Sequence, residues 1–276
     1  MAITRITSRT NPLIVQTAAL HEKKYREQNR LFLLEGKKLF SEALASGISL
    51  RHIFVTEQTL PLCLSMLGIA DERDAPSSLV CLSQSAFEKI STEKSPEGII
   101  CAAEYLDKRH FFGTINRETS ESLKGKRIFC LCSIRDPGNL GTVIRTACAF
   151  GVDALILSSD CADLYHPKTV RAAMGALLRQ TVYITGDLPS AVTELRSIGK
   201  SVYAAMLDEN AVPLPDLTLT PDTVFIVGNE GHGIDPSVAE ACGGSTLIPM
   251  AKDSMESLNA AIASAILLWQ SFQMNM

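Results

Sequence analysis

Short apolar runs alternate with helical stretches along most of the chain, and their lengths sort them into strands and helices. Up to residue 103, the runs at 31–34, 52–56, 79–82 and 98–103 are too short for helices and read as strands. Between them lie helical patterns at 36–46, 61–67 and 84–90, the first stopped by Gly47 at a position that favours glycine. Asn11-Pro12 opens an earlier helix, since Asn accepts from free helix N–H groups and Pro suits the first turn. Together these make a small α/β unit. Residues 106–126 are charged, carry Gly and Ser, and show no sustained period, so they read as a linker.

The pattern then restarts. Strands are expected at 127–132, 154–157, 182–184, 202–205, 224–227 and 246–248. Helices are expected at about 140–150, 167–178, 188–198, 236–241 and 257–272. Strands separated by helices predict an α/β fold with a mostly parallel sheet covered on both faces. The expected organisation is a first domain over 1–105, a linker over 106–126 and a second domain over 127–276. Ligands on such sheets bind beyond the carboxyl ends of the strands, so the loops there are where chemistry is expected.

Composition narrows the class. A chain of 276 residues, 46% hydrophobic and with mean hydropathy +0.14, has enough apolar material for two cores. Its longest apolar stretch near the end, 260–269, contains Ser264 and is too short to span a bilayer, so no membrane association is expected. The opening residues carry Arg5 and Arg9, several Ser and Thr, and no acidic residue before Glu22, a composition shared with mitochondrial transit peptides. The helix start at Asn11-Pro12 favours a folded segment and a cytoplasmic protein. The eight cysteines form no CxxC pair and mostly sit in apolar runs, so they read as core thiols in a reducing compartment, with no metal site.

Net charge is −4, yet residues 1–51 hold nine of the 26 Lys and Arg against four of the 30 acidic residues. A basic segment on an acidic body suits an arm that contacts phosphate, with Arg30 and Lys37 among its contacts. The alternative is an ordinary solvated helix face.

Three loops at strand ends carry the candidate chemistry. The first, 133–147, runs through Asp136-Pro137-Gly138-Asn139 into a helix; Asn139 suits its N-cap, and Thr142, Arg145 and Ala149 share one helical face. The second, Gly228-Asn229-Glu230-Gly231-His232-Gly233, follows a buried-type strand, and its glycines imply a sharp bend or close approach to a ligand. Its G-x-x-G-x-G spacing departs from the dinucleotide fingerprint, which disfavours an oxidoreductase. Glu230 is a polar group in an exposed turn, and His232 reads as a bystander. In the third, Ile248-Pro249-Met250 leaves the sheet, and Ser257-Leu258-Asn259 begins an apolar helix in which a buried Asn needs several partners.

This ordered set, N-x-x-x-x-x-R at 139–145, G-N-E-G-x-G at 228–233 and I-P-M with S-L-N at 248–250 and 257–259, resembles the SpoU-type RNA ribose 2′-O-methyltransferases of the SPOUT superfamily. Ile6-Thr7-Ser8, Asn11-Pro12 and Phe32-Leu33-Leu34-Glu35-Gly36 resemble the ribosomal-protein-like domain that precedes the catalytic one in that family. The resemblance implies a deep trefoil knot, S-adenosylmethionine as cofactor, a homodimer, and RNA as substrate, ribosomal before transfer RNA. It implies that Gly228, Ile248 and Leu258, with Asn229 and Met250, line the cofactor pocket. Asn139, Arg145, Glu230, Ser257 and Asn259 are implied around the reacting ribose, with Lys168 and Arg171 as further RNA contacts. One departure is Ala260-Ala261, where the family usually has Val after S-L-N. The rival readings are a non-catalytic RNA-binding protein that keeps the fold, a related methyltransferase acting on a base nitrogen, and a generic nucleotide-binding α/β enzyme.

Overall fold

The computed structural model describes residues 3–229, 231–251 and 257–273, and the chain divides into two compact units. One comprises the chain through Leu106 together with Tyr165–Leu178; the other comprises Asp107–Leu164 and the chain from Arg179 onward.

The first unit contains β1 (Thr4–Ile6), α1 (Pro12–Ala19), α2 (Lys23–Asn29), β2 (Leu31–Glu35), α3 (Lys37–Ser46), β3 (Leu50–Thr56), α4 (Leu60–Met66), β4 (Leu79–Leu82), α5 (Gln84–Ile90) and β5 (Ile99–Glu104). Its five strands form a mixed sheet in the order β1-β4-β3-β5-β2. The helix ends follow the local chemistry. Asn11 accepts from the Leu13 N–H at 2.9 Å with Pro12 in the first turn of α1, and Gly47 ends α3 at φ 62°. Phe54, Phe87, Ile14 and Ile100 fill the core, each fully buried.

Burial changes the expected basic arm. Arg26 is 1% exposed and donates through Nη1 to the carbonyls of Leu20, at 2.9 Å, and His21, at 2.7 Å. It tethers the α1–α2 turn and does not face solvent. Arg30 ends α2 in the left-handed region at φ 55°, and its guanidinium lies 4.4 Å from the Tyr105 ring centroid.

The second unit contains β6 (His110–Phe112), α6 (Arg117–Ser122), β7 (Ile128–Leu131), α7 (Pro137–Ala149) and β8 (Ala154–Ser158). The chain then contributes α8 (Pro167–Ala173) to the first unit. The second unit resumes with β9 (Thr181–Thr185), α9 (Leu188–Ser197), β10 (Ser201–Ala205), β11 (Val212–Pro213), β12 (Thr223–Val227), α10 (Pro236–Ala241), β13 (Gly244–Leu247) and α11 (Ala260–Gln273). Eight strands form one sheet in the order β11-β13-β10-β12-β7-β8-β9-β6, and every pairing is parallel. Ile128, Cys130, Ile156, Val202 and Ile226 pack on one face with Leu188, Val192 and Leu195 of α9 and Val238 of α10. On the strand positions between them, Phe129, Leu131, Leu155 and Phe225 are equally buried, and α11 packs on α7 and β12.

Several elements differ from the sequence pattern. The stretch expected as a linker holds β6, which pairs with β9, and α6, whose N-cap Asn116 accepts from the Thr119 N–H at 2.9 Å. Its buried residues, Leu106, His110, Ile115, Ser120 and Leu123, are unevenly spaced and two of them are polar, so the apolar pattern shows no period. The helix expected over 167–178 breaks at Met174, φ 48°, and Gly175, φ 88°. The final helix begins at Ala260, so Ser257 and Leu258 precede it. All eight cysteines are free and six are buried; burial raises the Cys63 and Cys242 thiols to about 11. Among the described residues, no helix is long and apolar enough to cross a membrane and no group of three His, Cys, Asp or Glu could hold a metal ion.

The cap of α7 is Asp136, not Asn139. The Asp136 carboxylate accepts from the Asn139 N–H at 2.9 Å, with Pro137 in the first turn. Asp136→Ala is therefore expected to lower unfolding stability by about 1 kcal/mol, whereas Asn139→Ala costs at most a few tenths of that, in urea titrations followed by circular dichroism. Equal losses would return the cap to Asn139.

Candidate active site

Parallel pairing places the carboxyl ends of β7, β12, β10 and β13 on one edge of the sheet, and a cavity of about 320 Å³ opens there. Its walls come from the ends of β10 (Ala205, Met206, Leu207), β12 (Val227, Gly228, Asn229), β13 (Leu247, then Ile248 and Met250) and from Ser257, Leu258, Ala260 and Ala263 leading into α11. Gly228, Asn229, Ile248, Met250, Ser257 and Leu258, expected at the site from sequence, thus meet around one space.

The β12 loop is held by its backbone. Asn229 and Gly233 exchange two hydrogen bonds, Asn229 N to Gly233 O and Gly233 N to Asn229 O, each 2.9 Å. This brings the chain back so closely that a Cβ on Gly228 would lie 2.3 Å from the Gly233 carbonyl oxygen. Only glycine fits there. The Asn229 side chain closes the turn from inside: Oδ1 accepts from the N–H groups of Gly231, at 2.8 Å, and His232, at 3.2 Å, while Nδ2 donates to the Ser133 carbonyl at 3.0 Å. His232 and Gly233 line the cavity. Glu230 lies outside the described residues.

Asn259 is exposed, and it has the partners that its type demands. Its Oδ1 accepts from Ala261 N, at 2.9 Å, and Ile262 N, at 3.3 Å, which makes it the cap of α11. With Oδ1 so occupied, Nδ2 turns outward and donates to Asn139 Oδ1 at 3.2 Å. That bond joins the start of α7 to the segment that walls the cavity.

Arg145 does not line the cavity. It stands on α7 with Thr142 and Ala149, all three exposed, and no hydrogen bond or ion pair joins it to another described residue. Lys168 and Arg171 lie on α8 in the first unit, where Arg171 donates to Thr92 Oγ1 at 2.8 Å and pairs with Glu93. Arg30 stacks on Tyr105, and the Lys37 N–H donates to Glu97 at 2.7 Å, both also in the first unit. Sequence reasoning missed Met206, Leu207, Ala260 and Ala263 as wall residues. The one available signal was that a parallel sheet aligns every strand end, and that Ala260 and Ala263, three apart, share a helical face. The departure at Ala260 therefore falls on the cavity wall, where a small side chain leaves room.

The cavity is mostly apolar, with strand-end backbone groups and a few polar side chains, and no Asp, Glu, Lys or Arg among its described liners. Its volume falls within the range of small-molecule sites. A flat heteroaromatic base edged by hydrogen-bonding atoms, as in S-adenosylmethionine, suits such walls, and Gly228 leaves the backbone around it accessible.

Residues 126–269 match the SpoU rRNA Methylase family, and residues 11–101 match an MRM3-like substrate binding domain. The chain is 31% identical over 265 residues to the 23S rRNA (guanosine(2553)-2′-O)-methyltransferase RlmP of Bacillus subtilis, covering 96% of this chain and 98% of that protein. It is 26% identical to the mitochondrial rRNA methyltransferase 3A of Danio rerio, over 94% of this chain and 68% of the relative. An AdoMet-bound rRNA methyltransferase from Sinorhizobium meliloti superposes with a TM-score of 0.81 at 27% identity, covering 99% of both chains.

Gly228→Ala is expected to force the 229–233 turn open. Amide hydrogen exchange at Gly233, whose N–H is bonded to the Asn229 carbonyl, then accelerates by about tenfold or more while the exchange of β8 amides stays unchanged. Unaltered Gly233 protection would mean that the close approach is relieved without moving the turn.

Proposed function

The chain belongs to the SpoU rRNA methylase family, and from that premise we propose that it transfers the methyl group of S-adenosylmethionine to a ribose 2′-hydroxyl of ribosomal RNA. The observation that carries this reading is the convergence of Gly228, Ile248 and Leu258 on one apolar cavity joined to Asn139 through Asn259. S-adenosylmethionine supplies an electrophilic methyl on a sulfonium centre. Gly228, Ile248, Met250 and Leu258 would hold its nucleoside by shape and through strand-end backbone groups, keeping water from the base.

The chain's remaining task is to orient a ribose hydroxyl in line with that methyl and to ease loss of its proton. Ser257 on the cavity wall, with Asn259 two residues on and Asn139 bonded to it, orients the ribose. Arg145 carries the charge. A guanidinium stays protonated in proteins and is a poor proton acceptor, so Arg145 anchors the adjacent phosphate and stabilises the developing alkoxide, and the proton leaves to solvent. Arg145 is absent from its own cavity wall, and α11 exposes Ile262 and Trp269; both features support a homodimer in which a second copy completes the site. The path of the chain supports a knot: β13 pairs beside β10, and the chain then returns to place α11 against α7 and β12. We assign RNA gripping to the first unit, on the strength of its match to a substrate-binding domain, and a cytoplasmic location, which the likeness to a bacterial rRNA methyltransferase over nearly the whole chain supports.

The test is purified protein with methyl-labelled S-adenosylmethionine and ribosomal or total RNA. Label is expected in nuclease-resistant 2′-O-methyl dinucleotides from ribosomal RNA. Label on a base would replace ribose by a base nitrogen, and no label in any RNA would leave an RNA-binding protein. Arg145→Ala is expected to lower turnover by about a hundred- to a thousandfold while cofactor affinity in calorimetry changes by no more than about twofold. Lost affinity with normal turnover at saturating cofactor would remove Arg145 from the reaction.

A further inference from the structure

We propose that Asp160 is a positioning residue for the methyl-donor cavity, holding the turn at 229–233 in shape through Ser133; this rests on the reading of that cavity given above. Asp160 follows β8 and does not line the cavity. It connects to the cavity through three strand ends that are neighbours in the sheet, β8, β7 and β12.

The chain of bonds is short. Asp160 Oδ2 accepts from Ser133 Oγ at 2.6 Å and from Arg135 Nη2 at 3.3 Å, and Oδ1 accepts from Ser158 Oγ at 2.6 Å. The Ser158 hydroxyl oxygen in turn accepts from the Ser133 N–H at 2.8 Å. Both hydroxyls that fix the Ser133 backbone therefore end on one carboxylate. Ser133 needs that hold, because it sits in the left-handed region at φ 59°, which side chains other than glycine seldom adopt. With the backbone turned this way, the Ser133 carbonyl meets Asn229 Nδ2 at 3.0 Å. That bond fixes which end of the Asn229 amide points inward, so Oδ1 is left for Gly231 N and His232 N. His232 and Gly233 are cavity wall.

Ionisation agrees with this geometry. Burial by itself pushes the Asp160 carboxyl upward, but the hydrogen bonds from Ser133, Ser158 and Arg135 together outweigh it and hold the group below its ordinary value. Three donors converge on this carboxylate, and each favours its charged form. Asp160, Ser133, Ser158 and Arg135 do not line the cavity, whereas Asn229, which they hold, does, so the effect of the network falls on donor binding and not on the chemical step.

Steady-state kinetics and calorimetry with S-adenosylmethionine on the full-length protein test the assignment. Asp160→Ala is expected to weaken donor binding and raise the donor KM by about tenfold, with kcat at saturating donor within about twofold of wild type. Asp160→Asn keeps one acceptor oxygen, enough for one of the two hydroxyls, and is expected to recover only part of the loss. Ser133→Ala removes the same link more gently and carries the test should Asp160→Ala fail to fold; its donor KM is expected to rise about threefold or more. Unchanged donor affinity in folded Asp160→Ala, or in Ser133→Ala where the former does not fold, overturns the proposal, as does a loss confined to kcat. A wild-type protein that gives no heat with the donor would instead overturn the reading of the cavity itself.

Discussion

The parallel ladder of β13, β10, β12 and β7 is the constraint on which the site depends. Parallel strands send all their carboxyl ends to one edge, so loops separated by more than a hundred residues in sequence open on the same side. The two central ones, β7 and β12, are buried on both faces of the sheet, and their register leaves no freedom to slide: a shift of one residue would exchange Cys130 and Ile226 in the core with Phe129 and Phe225 on the other face. The loops therefore inherit fixed starting points. What remains for them is to turn sharply, and the Asn229–Gly233 pair does so at the cost of allowing only glycine at 228.

Much of this was legible in the sequence because buried parallel strands are continuous apolar runs. The expected strands at 79–82 and 224–227 fall within one residue of β4 and β12, and the expected helices at 84–90 and 236–241 coincide with α5 and α10. The pattern failed where burial is sparse. β6 has one buried residue in three, and α2 is charged along its length with Arg26 turned inward, so neither shows a period. Side-chain capping was legible in kind but not in place: the pattern pointed to an Asn at the start of α7, and the Asp three residues earlier took the role because Pro137 fixes the first turn.

The site residues divide in the same way. Glycine and the residues around Pro249 announced themselves, since their backbone requirements are written in their types. Met206, Leu207 and Ala263 did not, because an apolar residue at a strand end or on a helix looks the same whether it faces a core or a cavity. Charge was informative only locally. The chain as a whole is acidic, and of the basic residues before position 52, Arg26 is buried while Arg5, Lys23 and Lys38 pair with carboxylates. The proposed RNA contacts therefore call for a few placed cations and not for bulk attraction.

Asn259 shows how one polar side chain can serve two elements at once. An amide has one oxygen and one nitrogen end, and capping α11 with the oxygen leaves only the nitrogen for a neighbour. That neighbour is then required to offer an acceptor, which Asn139 does. The orientation of the second amide follows from the cap of a helix that Asn139 does not belong to. Because the Asn259 cap also fixes where Leu258 and Ser257 enter the cavity wall, any movement of that wall is felt at the start of α7, the helix that carries Arg145. Aspartate at 259 would cap α11 equally well but could be met by Asn139 only with that amide reversed, so the two side chains are coupled through the contact between the two loops and not through the helix alone.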